Sequence, residues 1–313
     1  MKQSANNKLR LGVIGPSGIG KVHIRIFHSL GLNISALLGR SRESLSETLS
    51  EIDNLYHINP KSFTNIDHFF TTPLDAITIC TPPELHYQQI LSAFQVNLPV
   101  FCEKPLFWNN ELDNKKFFDQ LAVLENHPFR RIFVNTSNTV FVDYIEKLIP
   151  ELKLEDFSTF TFIFHTQGRH SWRDIAVDLL PHGISILIRI FGVSVPINFI
   201  YEISQDTFNC RFTYQNVCIE FNFFQKNDCE KKFVLILNGR EFRRTQTGHG
   251  DSYKVFIKDV QENKLIEVND PFFIYISKFV QFVKSKTPPR NDMFHDAFSN
   301  MKIMNVILNK INL

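Results

Sequence analysis

The stretch Leu9-Arg10-Leu11-Gly12-Val13-Ile14-Gly15-Pro16-Ser17-Gly18-Ile19-Gly20 decides how the first half of the chain folds. The apolar run to Ile14 predicts a β-strand, and the glycine-rich turn leads into an amphipathic segment at residues 22–30. Strand, turn and helix in that order aim backbone N–H groups and a helix N-terminus at a phosphate. Two phosphate-binding devices share this outline. Gly15, Gly20 and Lys21 satisfy the G-x-x-x-x-G-K spacing of a P-loop, but the next residue is Val22, which has no oxygen to offer magnesium. Nor does an apolar strand in this half end in the aspartate that would hold the metal; Asp75 begins its strand. Gly15 and Gly20 also fit the outer positions of the dinucleotide turn G-x-G-x-x-G. Ser17 replaces the middle glycine, the residue that lets the backbone approach a pyrophosphate.

The next strand, residues 33–38, runs into Gly39-Arg40-Ser41-Arg42. A site for NAD(H) normally places an acid there to bind the ribose 2′-hydroxyl, and none stands at this strand end. Arg40, Ser41 and Arg42 offer donors to a 2′-phosphate instead, which favours NADP(H) and leaves NAD(H) open. A helix at 43–55, a short strand–helix unit at 62–70, a strand at 75–80 and a helix ending at 96 follow. Helical spacing puts Ile90, Ala93 and Phe94 on that helix's buried face. A strand at 99–102, a helix at 111–124 and a strand at 131–134 complete the alternation, which predicts a doubly wound parallel sheet. The strand at 99–102 ends abruptly in Glu103-Lys104-Pro105-Leu106. Ligands of open α/β sheets sit beyond the carboxyl ends of strands, and an amine held there is placed to move protons.

Taken together, Thr81-Pro82-Pro83-x-x-His86 and Glu103-Lys104-Pro105, behind a dinucleotide turn, resemble the Gfo/Idh/MocA oxidoreductases, whose members include glucose-fructose oxidoreductase and inositol dehydrogenase. Asp178-Leu179-Leu180-Pro181-His182 adds the family's Asp and His four residues apart, at the head of an apolar helical stretch, 183–191. Residues at i and i+4 share a helix face, so one site can use both. The resemblance covers nearly the whole chain and implies roles by position. Gly15, Ser17, Gly18, Ile19 and Gly20 would lie along the pyrophosphate, with Arg40 and Ser41 near the adenosine ribose. Thr81, Pro82 and His86 would line the nicotinamide side. Glu103 and Lys104 would face nicotinamide and substrate, with a cis bond before Pro105. Asp178 and His182 would approach the substrate from a second domain. Apart from the resemblance, Trp172, Arg173, His165 and His170 lie just upstream of Asp178 and are expected as substrate walls. Three features depart from the family pattern: Ser17, the Ser171–Val177 segment where relatives are glycine-rich, and Val134–Asn138, which lacks the usual aromatic and arginine residues.

The implied reaction is hydride transfer between nicotinamide and a carbinol or carbonyl carbon of a sugar, sugar derivative or cyclic polyol. Lys104 and His182 are the candidates for the proton, and Asp178 orients one of them. Two alternatives remain: a cofactor-binding regulator of the same fold without catalysis, and a reductase of a non-sugar carbonyl or imine.

Beyond residue 135 the pattern turns β-rich. Runs at 157–165, 197–203, 207–213, 217–224 and 232–237, then an Asn238-Gly239 hairpin signal, predict a large, mainly antiparallel open sheet in an α+β domain. Further strands are expected at 253–259 and 264–268, and helices at 271–283 and 292–308. The expected division is a Rossmann domain at 1–135 and a substrate-binding and oligomerisation domain at 136–313, whose C-terminal helix packs back on the first.

The whole chain of 313 residues carries 34 Lys and Arg against 32 Asp and Glu, a formal charge of +2 that gives no electrostatic case for nucleic acid or an anionic membrane. Five cysteines without a C-x-x-C pair predict neither disulfides nor a zinc site. The polar N-terminus and the broken apolar stretch at 184–200 predict a cytoplasmic protein with no membrane span. The expected partners are a sugar- or polyol-like substrate and further copies in a homodimer or homotetramer.

Overall fold

The computed structural model describes residues 8–153, 157–168, 171–248, 254–285 and 292–311. Leu11, Val13 and Ile14 bury both faces of β1 (Arg10–Ile14), as a central parallel strand requires. The strand leads through the turn into α1 (Ile19–Ser29), which lays Ile24, Ile26 and Phe27 into the core. The alternation continues through β2 (Asn33–Leu38), α2 (Arg42–Tyr56), β3 (Lys61–Phe63), α3 (Ile66–Phe70), β4 (Ala76–Ile79) and α4 (Pro83–Gln95). It ends with β5 (Val100–Cys102), α5 (Asn114–Glu125) and β6 (Ile132–Val134). As expected, Ile90, Ala93 and Phe94 are the buried apolar residues of α4.

All pairings in this sheet are parallel, in the order β3-β2-β1-β4-β5-β6. The strand order reverses between β1 and β4, so the crevice of a doubly wound sheet opens beyond the carboxyl ends of these two strands. Residues through Asn135 form one compact unit together with Tyr275–Phe294; Thr136–Ile274 and His295 onward form the other. The returning segment is held in the first unit by aromatic contacts. Phe279 packs at 6.1 Å from Phe27, 5.5 Å from Phe101 and 5.7 Å from Phe133 between ring centroids.

The second unit begins with a 3₁₀ turn (Ser137–Thr139) and α6 (Val140–Leu148), then β7 (Thr159–Thr166), α7 (Trp172–Phe191), β8 (Ile197–Ser204), β9 (Thr207–Tyr214) and β10 (Val217–Gln225). It continues with β11 (Lys232–Leu237), β12 (Arg240–Thr247), β13 (Lys254–Asp259) and β14 (Lys264–Val268); α8 (Pro271–Lys284) and α9 (Asp292–Asn309) close the chain. The sheet order is β14-β13-β12-β11-β7-β10-β9-β8. Every pair is antiparallel except β7 with β10, whose connection runs through α7, the long crossover that a parallel pair needs. Phe162 lies at the centre of the core, with its ring near those of Phe221, Phe223 and Phe233. Gly183 lets α7 lie close on β10: a Cβ there would meet the Phe221 ring at 2.7 Å. The five cysteines form no disulfide.

The helix carrying Asp178 and His182 begins eleven residues before the expected start at 183. Ser171 caps it by accepting from the Asp174 N–H, while Asp174 accepts from the Ser171 N–H, a reciprocal capping box. Pro181 is carried inside the helix. Ser171→Ala removes this cap and is expected to lower stability by about 1 kcal/mol in urea unfolding followed by circular dichroism. An unmoved midpoint would show that the cap does not hold the helix start.

Candidate active site

Backbone geometry builds the turn after β1. Gly15 takes a φ of 75° and Gly18, the N-cap of α1, a φ of 53°, conformations that glycine adopts without strain. The Gly15 N–H donates to Leu38 O at 2.8 Å, and the Gly20 N–H to Ser17 O at 2.9 Å. A Cβ on Gly20 would lie 2.2 Å from Gly15 O, whereas one on Gly18 would meet nothing within 4 Å. The turn is therefore closed on its protein side and open beside Gly18. Ser17 and Gly18 are exposed, and the first turn of α1 carries no acid to compete with an anion. These features fit the pyrophosphate of a dinucleotide. They fit a P-loop poorly, because the Lys21 Nζ is ion-paired with Glu51 on α2.

At the end of β2, Arg40 is exposed. Ser41 caps α2, its hydroxyl accepting from the Ser44 N–H at 3.3 Å. Arg42 lines a depression with Ser46, Ser62, Asn65 and His68.

Beyond β4 and β5, buried polar side chains tie the strand ends together. The Lys104–Pro105 bond is cis. His86 on α4 has no exposed surface; its Nε2 lies 2.7 Å from Thr81 O and its Nδ1 3.0 Å from Pro105 O, joining the two loops. Burial holds its pKa below the ordinary imidazole value, against the pull of the Thr81 and Pro105 carbonyls. His86 is thus turned inward from the surface end of β4, held between these two carbonyls. Thr81 and Pro82 remain at the surface end of β4.

Glu103 is buried as well. Its carboxylate is 11% exposed and turns inward: Oε1 accepts from His23 Nε2 at 2.8 Å and from Asn135 Nδ2 at 2.7 Å. His23, on the buried face of α1, donates from Nδ1 to Thr78 Oγ1 at 2.8 Å. Burial opposes a charge on this ring, but the Cys80 sulfur at 3.2 Å and Glu103 outweigh it and raise its pKa to about 10. Burial likewise opposes a charged Glu103, and the His23 hydrogen bond and charge, with Asn135 and Lys104, prevail and lower its pKa. The result is a buried imidazolium–carboxylate pair beneath Lys104, which is itself half-buried. The Asn135 Oδ1 is buried without a hydrogen-bond partner among the described residues, an acceptor next to the same carboxylate. Neither His23 nor Asn135 was singled out as a site residue from the sequence; the available signal was a histidine three residues after Gly20 and a polar residue ending a strand.

In the second unit, Asp178 and His182 lie one turn apart on α7, both partly exposed, and the His182 ring packs edge-on against Phe164 at 5.5 Å. Trp172 stacks on Phe208 at 6.2 Å with a 9° tilt, and the Arg173 guanidinium lies 4.5 Å over its ring. His165 packs against Phe224, and His170 lies outside the described residues. No helix among the described residues is long and apolar enough to cross a membrane.

Comparison with known proteins agrees with this reading of the turn. Residues 9–125 match the family described as "Oxidoreductase family, NAD-binding Rossmann fold". An inositol 2-dehydrogenase from Pseudomonas savastanoi pv. phaseolicola is 31% identical over 101 residues, which is 31% of this chain and 29% of that enzyme's length. The chain thus matches less than a third of the length of this curated relative. Across nearly the whole chain the likeness is one of fold. The crystal structure of myo-inositol 2-dehydrogenase from Lactobacillus plantarum superposes with a TM-score of 0.72 at 18% identity, covering 96% of both chains. A variant 3-ketoreductase from Actinomadura kijaniata, in complex with TDP-benzene and NADP, gives 0.73 at 15% identity over 97% of this chain and 98% of that one.

Proposed function

We propose that this chain, whose residues 9–125 match the NAD-binding Rossmann-fold oxidoreductase family, is an NAD(P)-dependent dehydrogenase or reductase acting on a sugar, sugar derivative or cyclic polyol. The observation that carries the reading is the placement of the Gly15–Gly20 turn and the Glu103-Lys104-Pro105 corner at carboxyl ends of one 3-2-1-4-5-6 sheet. The nicotinamide, when bound, takes or gives a hydride at the carbon that interconverts between carbinol and carbonyl.

This chain's residues do the remainder. Backbone N–H groups of the turn and the α1 N-terminus hold the pyrophosphate. Thr81 and Pro82 border the nicotinamide side, and His86 and Glu103 support that border from within. Oxidising an alcohol also requires its hydroxyl proton to leave. His182 takes that proton, Asp178 orients it, and Lys104 donates a hydrogen bond to the same oxygen; exchanged roles for Lys104 and His182 are the variant of this scheme. Trp172 is the weakest of the proposed substrate contacts, because its indole stacks on Phe208 and carries the Arg173 guanidinium over its ring. The inositol 2-dehydrogenase relative supports a cyclic polyol, and a homodimer or homotetramer is the proposed assembly.

A panel of inositols, sugars and sugar derivatives with NADP⁺ and NAD⁺, followed by nicotinamide absorbance, tests this function. Reduction of the dinucleotide by at least one polyol or sugar is expected. Dinucleotide binding with no turnover by the panel, and none by non-sugar carbonyls or imines in reverse, would favour a non-catalytic cofactor-binding protein.

Arg40 and Arg42, at a strand end that lacks an acid, support NADP(H) as the preferred cofactor. Fluorescence titration is expected to show NADPH bound at least about tenfold more tightly than NADH, with Arg40→Ala removing most of the difference, the scale of one charge-assisted contact. Tighter binding of NADH by the unaltered protein would make these arginines solvated charges only.

A further inference from the structure

The buried pair of His23 and Glu103 is larger than the proposed chemistry requires. A carboxylate that merely ended a strand would turn to water. Here it turns inward, 11% exposed, onto a histidine with no exposed surface, and Asn135 supplies a second donor at 2.7 Å. The three residues come from α1, the end of β5 and the end of β6, so the network links the helix that opens at the glycine turn to the corner that carries Lys104. Breaking a buried ion pair by removing one partner leaves an uncompensated charge, so each partner dictates where the other sits.

We propose that His23 is a positioning residue: by donating to Glu103 Oε1 it holds that carboxylate inside the fold and fixes the strand end that presents Lys104. The proposal rests on the reading of the preceding section for its effect on turnover, and on geometry alone for its effect on Glu103. The titratable groups facing the pair are Cys80 from the end of β4, Cys102 on β5, His86 on α4 and Lys104 itself. Thr78 and Asn135 complete the polar surroundings, and the Phe27 and Phe101 rings close the apolar side of His23.

The pH dependence follows from the two partners. The stability gained by charging His23 is whole below the ordinary value of 6.5 and is lost as pH rises through about 10. The part owed to ionised Glu103 is whole above the ordinary 4.5 and is lost as pH falls through its lowered folded value. Removing the His23 charge leaves Glu103 desolvated without its countercharge, so the carboxyl should titrate higher.

The test compares the unaltered protein with His23→Gln and with the double variant His23→Gln/Glu103→Gln. The Glu103 carboxyl is read by ¹³C NMR against a Glu103→Gln blank, and kcat, KM and the pH profile are read by the turnover assay. For His23→Gln we expect the Glu103 titration and the acid limb of kcat to move up together by about one pH unit or more. We also expect kcat at neutral pH to fall about tenfold, with KM for the dinucleotide within about twofold, the pattern of a group felt in the transition state. The double variant, with a neutral amide pair, should recover most of any lost Tm and show no such limb shift. If His23→Gln fails to fold, Asn135→Ala reads the other donor: the same upward shift of Glu103, smaller in size, is expected. An unmoved Glu103 titration overturns the proposal, as does a moved titration with unchanged kcat and pH profile. Absence of turnover in the unaltered protein would count against the functional reading alone, and the Glu103 titration would then decide whether His23 positions it.

Discussion

Lys104→Ala is expected to lower kcat by roughly a hundredfold or more while leaving dinucleotide affinity within about twofold, the scale of losing a group that manages a proton in the transition state. The lysine stands two residues past β5 and is followed by the cis bond to Pro105, whose carbonyl lies against His86. Its backbone is thus held by neighbours that the substitution does not touch. Loss of the amine should therefore act on chemistry more than on folding, and an unchanged thermal melt would separate the two. Lys104→Arg keeps the charge but replaces a compact ammonium by a planar fork, so it should recover only part of the activity. Near-normal kcat in Lys104→Ala would remove Lys104 from the mechanism and leave His182 as the remaining proton carrier.

The second large effect lies in the glycine turn. Gly20→Ala is expected to weaken dinucleotide binding by about a hundredfold or more and to lower the melting temperature. The added Cβ would sit 2.2 Å from the Gly15 carbonyl oxygen, a backbone atom with no rotamer to escape through. Gly15 is itself held on both sides, by its N–H bond to Leu38 O and by Cys80 and Thr81, which its own Cβ would meet at 2.9 Å. The turn must open to admit the methyl group, and the N–H groups proposed to hold the pyrophosphate would then be displaced. Equilibrium titration of the folded variant checks this, and wild-type affinity would show that the phosphates are held elsewhere.

Much of the Rossmann half was legible because its signals are local. A buried strand, a positive-φ glycine turn and an amphipathic helix occupy one continuous stretch, and each later strand ends at a marked residue such as Cys80 or Glu103. The hairpin at Asn238-Gly239 was equally readable, since both residues adopt the positive φ that this turn demands. Helix α6 was not anticipated. It follows a 3₁₀ turn and has no side-chain cap to announce it. The start of α7 was placed eleven residues late because the apolar run begins at 183, whereas the Ser171–Asp174 capping box starts the helix among polar residues. The parallel pairing of β7 with β10 depends on contacts far apart in the chain, which strand patterns do not carry. At the candidate site, residues that point outward, such as Ser17 and Arg40, were easier to nominate than those that hold others in place. His23 looked like one more polar residue on a helix until Glu103, 80 positions away, turned inward to meet it.

The central claim is that the Gly15–Gly20 turn is a dinucleotide site at the head of an oxidoreductase sheet. Titrating the purified protein with NADPH and NADH, following nicotinamide fluorescence with Mg²⁺-ATP as the control, tests it most directly. The account predicts saturable binding of NADPH, weaker binding of NADH, and loss of both in Gly20→Ala without a gain for ATP. Binding of ATP in place of both dinucleotides, or of none of the three, would contradict it.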